Sequence, residues 1–218
     1  MRPPIIRHVS TTPAIRRRGR PPRHNRSDIL DAASEVMIFR GYEATRYSDV
    51  AEASGVPVAS LQHHFPTLEL LRREALRNKV RAELTSLAEQ VALIADPWER
   101  IHHVIVTSVS LDPARRRGGW VLWLEYWRAA AHDPELAEDS GEVNALWLSL
   151  ITECVADGVE TGQFNLDGTP QQAAIELHGL LDGLGIHLAV EHEPEAAAEV
   201  ISLLERAARR VLGGLDVT

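Results

Sequence analysis

Residues 45–65 read TRYSDVAEASGVPVASLQHHF, and this stretch decides the fold. Thr45 stands where a hydroxyl can cap a short helix, on which Val50 and Ala53 are spaced to face inward. Ser54-Gly55 ends that helix, and glycine suits the tight turn because a positive φ costs it nothing. A second short helix follows at about residues 57 to 64, with Pro57 tolerated in its first turn. Leu61 and Phe65, four residues apart, form its core stripe and leave Val58, Ala59, Gln62 and His63 on the other faces. Two short helices about such a turn are the sequence form of a helix-turn-helix, whose second helix enters the DNA major groove. Helix-glycine-helix also occurs in bundles that touch no nucleic acid, so the flanking sequence has to decide.

Upstream, Ser27 is a good N-cap, Asp28 and Asp31 favour the positive end of a helix, and Leu30, Ala33 and Met37 recur at helical spacing until Gly41 stops it. Downstream, residues 67 to 94 form a long amphipathic segment with Leu71, Ala75, Val80, Leu84, Leu87, Val91 and Leu93 available for burial. Pro97 opens a helix to about Leu111, Pro113 marks a break, and residues 118 to 132 follow as helix. Pro134 opens another to about Thr161, Pro170 one to Glu191, and Pro194 the last, which ends at Gly213. No alternating pattern of useful length and no fixed-period repeat interrupts this. The predicted fold class is all-α with about nine helices: a basic arm at 1–26, a three-helix helix-turn-helix domain at 27–72, and a helical effector and dimerisation bundle at 73–218.

The net charge of -8 hides a division. Residues 1–26 hold eight of the chain's 23 lysines and arginines and none of its 31 acids. A basic arm on an acidic body is suited to a polyanion, although a merely solvated tail would read the same way. Five prolines and few large apolar residues predict that the arm is disordered when free.

Around the quoted stretch stand Ile29-Leu30-Asp31-Ala32-Ala33, Gly41-Tyr42, Asp49-Val50-Ala51, Ala53-Ser54-Gly55-Val56, His64-Phe65 and Glu69-Leu70-Leu71. In order and spacing these residues resemble the DNA-binding domain of the tetracycline-repressor (TetR) family. The resemblance implies an all-helical homodimeric transcription regulator with a carboxy-terminal effector domain. It also places Thr45, Arg46, Tyr47 and His64 for the phosphate backbone, which positions a protein without specifying sequence. Pro57, Ala59 and Gln62 stand where the family usually has serine, glycine and tyrosine, and Leu68 replaces a lysine that often binds phosphate. By chemistry, Gln62 can pair bidentately with adenine, Val58 or Ala59 can meet a thymine methyl, and His63 shares their face. Within the arm, Arg18-Gly19-Arg20-Pro21 resembles an AT-hook core, so Arg18 and Arg20 are candidates for an adjacent minor groove.

Two further patterns lie in the body. Gly179, Gly183 and Gly185 interrupt a predicted helix, each costing about 1 kcal/mol relative to alanine, and so call for a reason. Close approach by another helix is one, and Leu177, Gly179, Leu181, Gly183, Leu184 and Leu188 with Val200, Leu203, Leu204 and Ala207 would suit a four-helix dimer seam. An intramolecular contact is the alternative. All five tryptophans fall between residues 98 and 147, and Trp120, Trp123 and Trp127 form one helical stripe. With Trp147 and His102 they make a candidate ligand pocket, possible for a cation, against the plainer reading that tryptophans fill the core. Gly162-Gln163-Phe164 and Leu181-Asp182-Gly183-Leu184 are loosely similar to the choline/betaine-regulator branch, which makes a quaternary ammonium one candidate effector.

The exclusions narrow the field. A single cysteine, Cys154, leaves no disulfide framework and reads as core. The arginines at the amino terminus have no apolar stretch behind them, and no run suits a membrane, so a cytoplasmic protein is expected. Adjacent pairs such as His63-His64 and His102-His103 diverge on a helix; His187 with Glu191 or His192, and His178 with Asp182, lack a third ligand, so no metal or cofactor is expected. No phosphate loop, dinucleotide fingerprint or nucleophile elbow is present, which argues against an enzyme. The expected function is a homodimeric repressor of a palindromic operator in double-stranded DNA, released when a small-molecule effector tilts the segment 67 to 94. An architectural binder of AT-rich DNA and a ligand-binding helical protein without sequence-specific reading are the rivals.

Overall fold

Proline and aspartate punctuate the second half of the chain. In the computed structural model, which describes residues 25–190 and 196–213, four helices begin at prolines that the missing N–H and fixed φ pre-organise for the first turn: α5 (Pro97–Val109), α6 (Pro113–Ala130), α7 (Pro134–Glu160) and α8 (Pro170–Val190). Asp96, Asp112 and Asp133 cap the first three by accepting backbone N–H groups. The others are α1 (Arg26–Arg40), α2 (Tyr47–Ser54), α3 (Val58–His64), α4 (Leu68–Ala92) and α9 (Ala196–Val211). Among the described residues there are nine helices and no strands.

Several local readings are corrected. Asn25, not Ser27, caps α1, with Asp28 completing the capping box. Thr45 does not cap α2: its hydroxyl donates to the Gly41 carbonyl at 2.9 Å, and the Asp49 carboxylate accepts the Arg46 N–H at 2.8 Å instead. Ala53 is exposed rather than inward. Pro113 opens α6 instead of breaking the chain, because Asp112 caps it, so that helix begins five residues before the expected start. Leu93 lies beyond the end of α4, 87% exposed. Pro194, Glu191 and His192 lie outside the described residues.

Two apolar clusters fill the interior. The first joins α1–α3 to Leu71–Leu84 of α4, to Leu122 and Tyr126 of α6 and to Leu136 and Val143 of α7. The second holds the end of α4, α5, the end of α7, α8 and α9, with Phe164 seated on Gly158 so closely that a Cβ there would fall 2.0 Å from its ring. The helix-turn-helix therefore shares one core with α4, α6 and α7. Helix α4 runs through both clusters, and α6 flanks it.

Candidate functional site

Gly55 adopts φ 70°, the left-handed turn that separates α2 from α3. Leu61 and Phe65 are fully buried, which turns Val58, Ala59, Gln62, His63 and His64 outward on α3. Arg46 is exposed, with its guanidinium donating to the Glu43 and Thr45 carbonyls. Thr45 is fully buried, so it braces the turn and presents no side chain to a phosphate. Tyr47 is half-buried and donates its hydroxyl to the Phe65 carbonyl at 2.6 Å, which fixes the end of α3 against the start of α2. Burial raises its phenol's pKa. Arg18 and Arg20 lie outside the described residues.

Three bracing groups were missed. Arg26, grouped with the arm by charge, lies over the Phe65 ring at 4.3 Å and donates to the His64 carbonyl and to Glu74. Arg72 of α4 is buried; it donates to the Thr45 carbonyl at 2.6 Å and the Glu43 carbonyl at 3.2 Å and lies 5.2 Å from the Tyr42 ring. Arg128 of α6 meets the same loop, 3.4 Å from Glu43 and 5.2 Å from Tyr42. Both arginines thus grip the loop that leads into α2. Behind them Asp139 of α7, buried, accepts from Tyr126 Oη at 2.7 Å and from Arg77 and Arg81 Nε at 2.8 Å each, tying α4, α6 and α7 together.

Between α4, α6, α7 and α8 lies a cavity of about 200 Å³. Trp120, Trp123, Trp127 and Trp147 all line it. Trp123 stands edge-on to Trp147 at 6.3 Å, Trp147 stacks on His178 at 5.8 Å, and Trp120 donates Nε1–H to the Ser108 carbonyl at 3.1 Å. Gly185 makes room for Trp120, since a Cβ there would fall 1.8 Å from the ring; this explains one of the three helix glycines. His102 is a correction: it is 3.0 Å from Glu205 and 3.7 Å from Glu99, on the α5–α9 face, away from the cavity lining. Trp98 is buried beneath Arg209 at 3.9 Å and serves the core.

The cavity is also charged. Glu83 and Asp182 line it, and burial raises both carboxyl pKa values, opposed at Glu83 by Lys79 and Arg115 and at Asp182 by His178, 3.7 Å away. Arg115 and Arg116 line it too. Glu83, Arg115 and Arg116 were missed, and Asp182 was noted only within its motif and beside His178, because in a chain that is one-quarter charged nothing local marks a charge that will face inward. Cys154 is buried elsewhere in the core, its thiol pushed up to about 11 by burial.

On the outer face, Gly179 and Gly183 are exposed with open space around them, and Leu203 is 40% exposed. Leu184, Val200 and Ala207 are half-buried beside them. Leu177, Leu181, Leu188 and Leu204 are corrected to the protomer's own core, where they pack against α5 and α7. Ile175, 52% exposed, joins the outer face instead. No described helix is long and apolar enough to cross a membrane.

Comparison with known proteins follows the same division. Residues 29–75 match the family model for bacterial regulatory proteins of the tetR family, and residues 97–213 match the BetI-type transcriptional repressor carboxy-terminal domain. The HTH-type transcriptional repressor KstR2 of Rhodococcus jostii is 28% identical over 135 residues, 61% of this chain and 66% of that repressor. A transcriptional regulator from Saccharomonospora viridis, solved in complex with choline, is 25% identical with a TM-score of 0.73 and covers 82% of this chain and 92% of its own. FadR from Bacillus subtilis, solved with stearoyl-CoA, shares the fold at 20% identity and a TM-score of 0.65, over 81% and 96% of the two chains. The chain belongs to the TetR family of transcriptional regulators and carries a BetI-type carboxy-terminal domain.

Proposed function

We propose that this regulator is a cytoplasmic homodimeric repressor that binds a palindromic operator and leaves it when a small organic cation enters the tryptophan-walled cavity. The observation that carries the reading is the double role of α6. Its Trp120, Trp123 and Trp127 wall the cavity, while Arg128 near its end holds the loop that leads into the reading head. Helix α4 does the same with Glu83 and Leu87 at the cavity and Arg72 at the loop. A ligand that shifts either helix pulls on the Glu43–Thr45 backbone and so on α2 and α3. A coupling of about 1 to 3 kcal/mol lowers operator affinity roughly 5- to 150-fold.

Tryptophan faces attract cations, and the Glu83 and Asp182 carboxylates supply opposite charge. The choline complex of the S. viridis regulator agrees with that chemistry. A cavity of about 200 Å³ lies below the ~300–1,000 Å³ of drug-sized sites, so it suits a small metabolite and not a long acyl thioester. The outer face formed by Ile175, Gly179, Gly183 and Leu203 supports pairing of two copies, and a two-fold protein matches a palindrome. Gln62, Val58, Ala59 and His63 read bases, Arg46 and His64 hold the backbone, and Arg18 and Arg20 of the arm enter an adjacent minor groove.

Selection of bound sequences from random duplex DNA at about physiological salt tests this, since non-specific affinity is suppressed there. An enriched palindrome with half-sites about one helical turn apart is expected, and choline added to that complex should release it. AT-rich DNA without symmetry would instead mark an architectural binder, and no enrichment would mark a ligand-binding protein without sequence-specific reading.

A further inference from the structure

Arg116 is 5% exposed, yet its guanidinium has one bonded partner, the Ser110 carbonyl at 2.8 Å, and no carboxylate of the described residues pairs with it. A charge taken out of water and left without a counter-charge is costly, and proteins ordinarily pair it. Arg116 lines the cavity, and none of its side-chain nitrogens is both fully buried and without a partner, a state that among the described residues only Arg72 Nε shows. Ser110 holds its carbonyl toward Arg116 from a backbone at φ 53°, a conformation rare for a residue with a side chain and concentrated at ligand clamps.

The carboxylates of the cavity wall are engaged by other cations. The cations that act on Glu83 are Lys79 and Arg115, and the one that acts on Asp182 is His178; Arg116 is among neither set. Along α6, Arg116, Trp120 and Trp123 lie on one stripe, the Cα of Arg116 being about 6 Å from that of Trp120 and about 10 Å from that of Trp123 along the axis at ~1.5 Å per residue. A cation without a counter-charge on the wall of a small cavity, and Asp182 beside the His178 that stacks on Trp147 on the same wall, are complementary to a single molecule that carries both charges.

We propose that the effector is a dipolar metabolite, with an ammonium group held by the tryptophans and Asp182 and a carboxylate, one short aliphatic spacer away, held by Arg116. This rests on the reading of the cavity as the effector site. A cation alone fills one end and leaves Arg116 unpaired. The dipolar ligand satisfies both ends, and the charge-assisted bond to Arg116 is the larger part of its advantage.

The test is intrinsic tryptophan fluorescence and calorimetry on the full chain, with trimethylammonio-butanoate and its methyl ester as probes. The two have nearly the same shape and differ in the negative charge. The carboxylate is expected to bind about ten- to a hundredfold more tightly, the range set by one charge-assisted hydrogen bond. In Arg116→Gln the two probes should bind alike. An ester that binds as tightly as the carboxylate to the unmodified protein would overturn this inference and leave the aromatic cation site standing, with no variant needed. A carboxylate preference that survives Arg116→Gln would remove Arg116 from the site. Binding of neither probe would overturn the inference together with the reading of the cavity.

Discussion

Replacing Asp139 with asparagine should destabilise the regulator more than any comparable change at its surface. The side chain is 1% exposed and accepts hydrogen bonds from Tyr126 and from two arginines, Arg77 and Arg81. Asparagine keeps the shape but loses the charge and turns one acceptor into a donor that faces guanidinium groups. A hydrogen bond to a charged group contributes about 1.5 to 3 kcal/mol when buried. The two arginines are 52% and 34% exposed, so water replaces part of what they lose and their share must be discounted by about half. One bond at full value and two at half add to about 3 to 6 kcal/mol, which for a chain of this length lowers Tm by about 6 to 24 °C. Glu142 supplies the control: it pairs with the same Arg81 but is 58% exposed, and Glu142→Gln should cost about 0.5 kcal/mol or less. Thermal unfolding of the two variants beside the unmodified protein decides the matter. Equal melting of Asp139→Asn and Glu142→Gln would refute the argument that burial, and not mere pairing, makes this carboxylate the fastening between α4, α6 and α7.

Three further outcomes follow from the site. Because burial raises the pKa of Glu83 and Asp182, with Lys79 and Arg115 opposing the shift and Glu35 adding to it at the first and His178 opposing it at the second, the cavity wall shifts both carboxyls toward the protonated form. Their contribution to stability is therefore present below the ordinary carboxylate range and lost as pH rises through the raised values, whereas cation affinity runs the opposite way and should weaken as pH falls; titrations at several pH values, with proton release followed by calorimetry in two buffers, check the sign. Gly185→Ala should displace Trp120 and cost about 1 to 3 kcal/mol net of its helix-propensity gain, with a shifted tryptophan emission, while Gly183→Ala, in open space, should leave the emission unchanged and alter only the monomer–dimer balance seen by sedimentation. Gln62→Ala should weaken operator binding by about 1 to 3 kcal/mol and relax the preference at one base pair, as read by repeating the sequence selection, without changing the salt slope.

The sequence made the architecture legible because each helix boundary is set locally. Prolines at four helix starts, aspartates before three of them and Gly55 at the turn fix boundaries within a few residues, and the Leu61–Phe65 stripe alone orients α3. The tryptophan stripe gave one wall of the cavity for the same reason. What stayed hidden depends on which face of one helix meets which face of another, far along the chain. Thr45 looks like a cap until the Gly41 carbonyl takes its hydroxyl, and Leu177 and Leu204 look like a seam until α5 and α7 cover them. Arg72 and Arg116 are the sharper cases. Both are ordinary arginines on helices rich in charge, and only the fold reveals that each is nearly dry. Arg72 is satisfied mainly by backbone carbonyls of the loop it holds, a partner chosen by position and not by residue type, so no sequence pattern could name it. Arg116 has a single carbonyl, and the charge it lacks is the one a ligand would bring. The same physics that hides a buried charge from sequence reading makes its missing partner informative once the structure is known: a fold tolerates that cost where another requirement, here the recognition of an anion, offsets it.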